Sequence, residues 1–209
     1  MVMSKFNFAV LISGSGSNLQ AMIDAIDSKI IDGSICCVLS NNPDAYGLKR
    51  AKKADIPVEV INHKEFTSRE EFDEAMIKRL YKYKPKLVVL SGFMRILSQV
   101  FVNQFHGRLL NIHPSLLPKY PGLNTHQRVL DSGDKYHGVT IHFVDTTLDG
   151  GPICAQSQLL VKTKSAEKLQ NQIHDLEHSL YPKVIDWFSK KRLKLVEGIA
   201  YLDNKPIKI

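Results

Sequence analysis

No run of this chain approaches the roughly 18 to 20 consecutive apolar residues that a membrane-spanning helix needs, so no span is predicted. Cysteine is scarce: there are three in 209 residues, an odd number, and Cys36 and Cys37 are adjacent. A secreted disulfide framework is therefore not expected. Residues 1–5 lack the apolar core and small-residue cleavage site of a signal peptide, because the apolar run 6–12 leads straight into a glycine turn. Internal repeats, low-complexity tracts and linkers are missing as well. Acidic residues are in deficit, 21 against 28 Lys and Arg, which leaves a net charge of +7. That surplus suits nucleic acid, acidic lipid or a polyanionic small substrate. Its densest stretches, 78–86 and 190–194, read as solvated helix faces rather than base-stacking surfaces. What remains, at 44% apolar and 23% charged, is an ordinary globular composition. A chain of this length buries roughly 70% of its unfolded surface, so it needs no disulfide or structural metal. The expectation is a reduced, cytoplasmic protein with one domain over residues 1–209.

Strand-like and helical stretches alternate through the first half. Residues 6–12, 35–39, 56–61 and 87–90 are short apolar runs. Between them, Leu19, Met22, Ile23 and Ile26 fall at helical spacing, residues 45–54 form a basic helix candidate, and Ser68 is placed to cap a helix carrying Phe72, Ala75, Met76, Leu80 and Tyr83. Such alternation predicts βαβ units, hence an α/β fold with a doubly wound, mostly parallel sheet over about residues 1–100. The second half, about 101–209, reads differently. Residues 109–112 are a short strand, and 114–121 is too rich in proline for a helix. Residues 139–144 alternate, and 153–161 follow after the turn Leu148-Asp-Gly-Gly-Pro152, which predicts an antiparallel pair added to the sheet. Ser165 then caps a long helix with Leu169, Ile173, Leu176, Leu180 and Val184 on one stripe, kinked at Pro182. Residues 193–196 and 200–202 suggest a small terminal hairpin.

Three places carry chemistry. The strand, glycine loop and helix around Gly14-Ser-Gly16-Ser17-Asn18 let backbone N–H groups approach an anion, aided by the helix N-terminus. Leu19 stands where a dinucleotide fingerprint has its third glycine and a P-loop lysine is missing, so one phosphate fits better than a pyrophosphate. In Asn111-Ile-His113-Pro, strand geometry would put the amide and the imidazole on one face at the carboxyl edge of the sheet. That pair can hold a developing oxyanion and deliver a proton. Asp149 is either a turn aspartate or the carboxylate that orients and charges His113. No serine or cysteine sits in a nucleophile elbow, so no covalent acyl step is suggested. His174-Asp-Leu-Glu-His178 matches an inverted zinc-peptidase pattern, but the apolar residues around it already account for a core-packing helix. Glu177, one turn after Ile173, is expected instead to reach inward to a ligand.

Taken together, the segments Leu11-Ile-Ser-Gly-Ser-Gly-Ser-Asn-Leu-Gln20, Ser91-Gly-Phe-Met-Arg-Ile-Leu97, Asn111-Ile-His-Pro-Ser-Leu-Leu-Pro-Lys-Tyr-Pro-Gly122 and Leu148-Asp-Gly-Gly-Pro152 resemble the phosphoribosylglycinamide formyltransferase family, over about residues 6–189. The resemblance implies a Rossmann-like formyltransferase fold. It also implies formyl transfer from 10-formyltetrahydrofolate, as cosubstrate and without a metal, to the glycine amine of 5-phosphoribosylglycinamide in purine synthesis. By position it assigns Asn111, His113 and Asp149 to catalysis, and Gly16, Ser17, Asn18 and Glu177 to the substrate phosphate and ribose. Arg69, Met94, Arg95, Ile96, Leu97 and again Asn111 are assigned to the folate. Ser15 replaces a common asparagine, and Asn124 stands where some members have histidine, which leaves the roles of Asn124 and His126 open.

The implied partners are these two small molecules, with no nucleic acid and no membrane, in a monomer or homodimer. Methionyl-tRNA formyltransferase and formyltetrahydrofolate deformylase are the alternatives. The first is expected to need an RNA-binding domain that about 20 residues after the long helix cannot supply, and the second an N-terminal regulatory domain. A zinc peptidase and a silent nucleotide-binding module are the readings from other classes.

Overall fold

The computed structural model describes residues 6–208, so the signal-peptide reading of residues 1–5 lies outside the described residues. The chain forms two compact units, one ending at Leu110 and the other beginning at Asn111. Among the described residues no helix is long and apolar enough to cross a membrane.

The first unit alternates strands and helices: β1 (Asn7–Ile12), α1 (Ser17–Asp27), β2 (Ser34–Ser40), α2 (Gly47–Lys53), β3 (Val58–Val60), α3 (Arg69–Tyr81), β4 (Leu87–Leu90), α4 (Gln99–Gln104) and the start of β5 (Leu109–His113). β1 pairs in parallel with β2 on one side and β4 on the other, and β2 pairs in parallel with β3. The order is β3-β2-β1-β4-β5. Strands with both faces covered read as continuous apolar runs, which is why β4 is Leu-Val-Val-Leu and buried throughout. The chain winds outward from β1 and then returns to its other side at β4. This reversal makes the carboxyl ends of β1 and β4 a topological switch point, the place where open α/β sheets bind ligands. Residues 13–18 and 91–97 leave the sheet there.

Helix positions follow local chemistry. The Ser68 hydroxyl accepts the Glu71 N–H at 3.1 Å and caps α3, a contact worth about 1 kcal/mol. Glu70 and Glu71 in the first turn and Lys78 and Arg79 in the last suit the helix dipole. In α1 the buried face is Leu19, Met22, Ile23 and Ala25, with Ile26 only half-buried. α4 has no counterpart in the sequence reading. Its six residues are too few for apolar periodicity, and Ser98 marks its start only as a cap.

The second unit holds α5 (Thr125–Ser132), β6 (Tyr136–Phe143), β7 (Ile153–Leu160), α6 (Ala166–Ser189), β8 (Leu193–Val196), β9 (Ile199–Leu202) and β10 (Lys205–Pro206). Its larger sheet runs β5-β6-β7. β6 and β7 are antiparallel, with Thr140 opposite Gln156. The expected pair is present, but β6 is buried on both faces from His137 to Phe143: α6 packs against β6 and β7, and residues 115–117 lie against Gly138 and Thr140. The α6 stripe is Leu169, Ile173, Glu177, Tyr181, Val184 and Ile185, with Leu176 and Leu180 only half-buried. The helix runs on through Pro182 to Ser189. The terminal hairpin gains a third strand, in the order β10-β9-β8. α5 is a second helix that the sequence reading lacks. It follows the proline-rich segment from a left-handed Asn124, which no hydrophobic pattern announces.

Candidate active site

In the second unit, the end of β5 and the turn after β6 bring Asn111, His113 and Asp149 together. The Asp149 carboxylate lies 3.3 Å from His113 Nδ1 through Oδ2, and its Oδ1 accepts from the Asn111 amide at 3.5 Å. The alternation of β5 explains this. Ile112 turns into the core, which leaves Asn111 and His113 facing the same carboxylate. His113 is buried, and its Nε2 meets the backbone carbonyl of Tyr120 at 2.8 Å. A carbonyl and a carboxylate can only accept, so the ring satisfies both contacts when both nitrogens carry protons. Gly122 N–H donates to Asp149 Oδ2 at 2.9 Å, tying the segment after Tyr120 to the same group.

Asp149 itself has φ 52, in the left-handed region that Asp and Asn tolerate better than most residues. The turn is tight on the other side too. A Cβ on Gly151 would meet the Phe143 carbonyl oxygen at 1.9 Å, so only glycine lets the chain pass β6 there. The sequence turn Leu148-Asp-Gly-Gly thus aims the carboxylate by steric necessity.

His142 is a member of this cluster that the sequence reading passed over. Its Nδ1 meets the Phe143 carbonyl at 2.8 Å, so that nitrogen carries the proton and Nε2 presents a lone pair to Asn111 Nδ2 at 3.2 Å. Burial pushes the His142 imidazole toward its neutral form, although the Phe143 carbonyl and the Asp149 charge oppose this. Asn111 is therefore held by a carboxylate and a neutral imidazole together. Sequence alternation had placed His142 opposite Ile141 in β6, but no local signal says that β5 brings an asparagine to it.

In the first unit, Gly16 precedes α1 with φ 68, and no side chain caps the helix, whose first turn holds no acidic residue. The first reason for glycine at this position is packing. A Cβ there would meet Gly47 Cα at 2.7 Å, whereas one on Gly14 would meet nothing within 4 Å. Arg50 closes over the loop, donating from Nε to the Ser15 carbonyl at 3.0 Å while stacking on Tyr46. At the other switch-point loop, Met94 and Ile96 are 66% and 57% exposed, with Arg95 exposed between them and Leu97 buried. Met94 N–H donates to Ser13 Oγ at 2.8 Å, joining the two loops. Arg69 stands exposed at the start of α3. Glu177 does face inward, buried on α6 in the second unit.

Two further histidine pairs lie in the second unit. His126 and His137 are bonded at 2.9 Å between Nδ1 and Nε2, and burial pulls both down to about 4. The rings of His174 and His178 stack along α6 with centroids 6.1 Å apart. Among the described residues no three His, Cys, Asp or Glu side chains group as a metal site.

Residues 6–185 match the formyl transferase family model. The chain is 49% identical to phosphoribosylglycinamide formyltransferase of Escherichia coli K12, over 95% of this chain and 94% of that protein. It is 48% identical to the Haemophilus influenzae protein of the same name, over the same shares. The solved structure of the Coxiella burnetii phosphoribosylglycinamide formyltransferase superimposes with a TM-score of 0.93 at 49% identity, covering 97% of this chain and 96% of that one. A glycinamide ribonucleotide transformylase from Symbiobacterium toebii follows at 0.91 and 39%, covering 94% and 93%. With the family's sequence blocks, its fold and these full-length relatives in agreement, the chain belongs to the phosphoribosylglycinamide formyltransferase family.

Proposed function

We propose that the chain transfers a formyl group from 10-formyltetrahydrofolate to the glycine amine of 5-phosphoribosylglycinamide, with Asn111, His113 and Asp149 as the catalytic residues. The observation that carries this reading is the single carboxylate, Asp149, shared by the amide of Asn111 and the ring of His113. The folate supplies an activated one-carbon acyl group when bound. Attack by a neutral amine drives negative charge onto the formyl oxygen, and preorganised donors at that oxygen are worth roughly 10²–10³ in rate each. Asn111 supplies one such donor: one Nδ2 hydrogen stays on His142 Nε2 at 3.2 Å, and the other, held on Asp149 Oδ1 only across 3.5 Å, turns to the formyl oxygen. His113 supplies the other from Nε2, whose proton is directed here at the Tyr120 carbonyl, an acceptor the formyl oxygen replaces. Asp149 stabilises the imidazolium through Nδ1. As the bond from the formyl carbon to folate N10 breaks, the proton lost by the attacking amine passes to N10 through His113 or water.

Substrate phosphate is assigned to Gly16, Ser17 and Asn18, supported by the uncapped and acid-free N-terminus of α1. Glu177 is assigned to the ribose hydroxyls. The folate is assigned to Arg69, Asn111 and residues 94–97. Exposed Met94 and Ile96 beside Arg95 offer an apolar face and a planar cation, which fits a fused heterocycle with an anionic tail. Three free cysteines, two of them buried, fit a reducing, cytoplasmic setting.

The test supplies both substrates and follows deformylated folate and formylated product together. Matched, amine-dependent formation of both supports the transferase. Folate release that ignores the amine would identify a deformylase instead.

A further inference from the structure

The segment 94–97 is exposed through its side chains yet anchored through its backbone. At one end Met94 N–H donates to Ser13 Oγ, and the Ser13 hydroxyl donates in turn to Asn41 Oδ1 at 2.6 Å. Asn41 is itself buried and meets His63 Nδ1 at 3.2 Å. At the other end Ser98 N–H donates to Asp73 Oδ2 at 2.5 Å. Asp73 lies on α3, one turn after Arg69, and is 0% exposed.

The contact to Asp73 is not needed to cap α4. Ser98 already caps that helix through its own hydroxyl, which accepts from Phe101 N–H. Asp73 instead holds the chain entering the helix. It does so at a cost to stability. Its Oδ1 has no hydrogen-bond partner among the described residues, and burial of a carboxylate with one oxygen unmet is unfavourable. Burial accordingly raises the Asp73 carboxyl, offset by the Ser98 hydrogen bonds and by the charge of Arg69. An apolar side chain would serve packing better, so the reason for an acceptor oxygen at this position lies outside packing.

We propose that Asp73 and Ser13 are positioning residues that clamp the backbone of residues 94–98 at both ends, in the shape that receives the formyl donor. The proposal rests on the assignment of residues 94–97 to the folate. Neither residue touches the donor. Each acts by removing freedom from an exposed loop that would otherwise have to be ordered at binding, which lowers affinity.

The test compares Asp73→Ala, Asp73→Asn, Ser13→Ala and Arg95→Ala, with binding of tetrahydrofolate by calorimetry, KM for each substrate, and hydrogen exchange of the Met94 and Ser98 amides. Asp73→Ala and Ser13→Ala should each weaken folate binding by roughly tenfold, the scale of one lost hydrogen bond, with the matching amide losing protection. KM for the phosphorylated amine should stay within about twofold in both. Asp73→Asn keeps an oxygen for Ser98 N–H, so it should rescue most of the affinity. If Asp73→Ala does not fold, Ser13→Ala and Asp73→Asn decide the matter. Freed amides with unchanged folate affinity would overturn the clamp, as would an equal rise in both KM values. Arg95→Ala separates the two layers. If it weakens folate binding while Asp73→Ala and Ser13→Ala do not, the clamp alone is wrong. If it leaves folate binding intact, the folate assignment of the segment fails and the clamp with it.

Discussion

The side-chain amide of Asn111 donates to Nε2 of His142 across 3.2 Å, so a buried neutral imidazole aims the amide that is assigned to the formyl oxygen. An amide can rotate or flip, and among the described residues the other partner of Asn111 Nδ2 is Asp149 Oδ1 at a long 3.5 Å. His142 thus supplies the better-defined half of its orientation. Replacing it with alanine should lower kcat by roughly ten- to a hundredfold, less than deleting an oxyanion donor outright. Steady-state kinetics on a variant shown to be folded checks this. A normal kcat would mean that Asp149 alone orients Asn111.

Asp149→Asn is expected to fold, because asparagine tolerates the left-handed conformation at this position, φ 52. The variant has one acceptor oxygen where the carboxylate serves His113, Gly122 and Asn111. By analogy with triad aspartates, kcat should fall on the order of 10²–10⁴. Both KM values should change far less, since the charge acts mainly as the reaction proceeds. Near-normal turnover at pH 7 would reduce Asp149 to a turn residue.

The two glycines of the phosphate loop should separate in denaturant titrations. Gly16→Ala places a Cβ 2.7 Å from Gly47 Cα on a left-handed backbone, and should lose about 1–3 kcal/mol. Gly14→Ala meets nothing within 4 Å and should stay within roughly 0.5 kcal/mol of the parent. Equal losses would show that the close approach of the loop to α2 is not what selects glycine.

The His126–His137 pair predicts how stability responds to acid. Burial comes first in lowering both to about 4, with nearby histidines adding to it. His137 Nδ1 has no hydrogen-bond partner among the described residues, which fits a neutral ring donating from Nε2 to His126. An unfolded histidine titrates near 6.5, so between about 6.5 and 4 the unfolded chain binds more protons. Stability from this pair is therefore complete above about pH 6.5 and is lost as pH falls toward 4. Because the two rings interact, the loss belongs to the pair rather than to either residue. Urea midpoints measured across that range should fall less steeply in His137→Gln than in the parent. Parallel slopes would mean the pair is not neutral in the fold.

Strand and helix order was legible in the sequence wherever burial is periodic or continuous over several residues. β1, β2, β4, α1, α3 and α6 all announce themselves, because one face or the whole strand must leave water. Serine caps at positions 68 and 165 are local chemistry and were legible for the same reason. α4 and α5 were not. Each is short: α4 has only the Ser98 cap to mark it, and α5 starts from a left-handed Asn124, a matter of backbone rather than of pattern. The same division runs through the site. The sequence alone named Asn111 and His113, because two residues of one strand two positions apart must share a face. It left Asp149 undecided between a turn and a partner, and it was silent on His142 as an orienting group and on Asp73 as an anchor. Those residues lie 31 to 38 positions from Asn111, or 25 from Ser98, in the chain. Only strand pairing and helix packing bring them within hydrogen-bond reach, and no local preference encodes that distance.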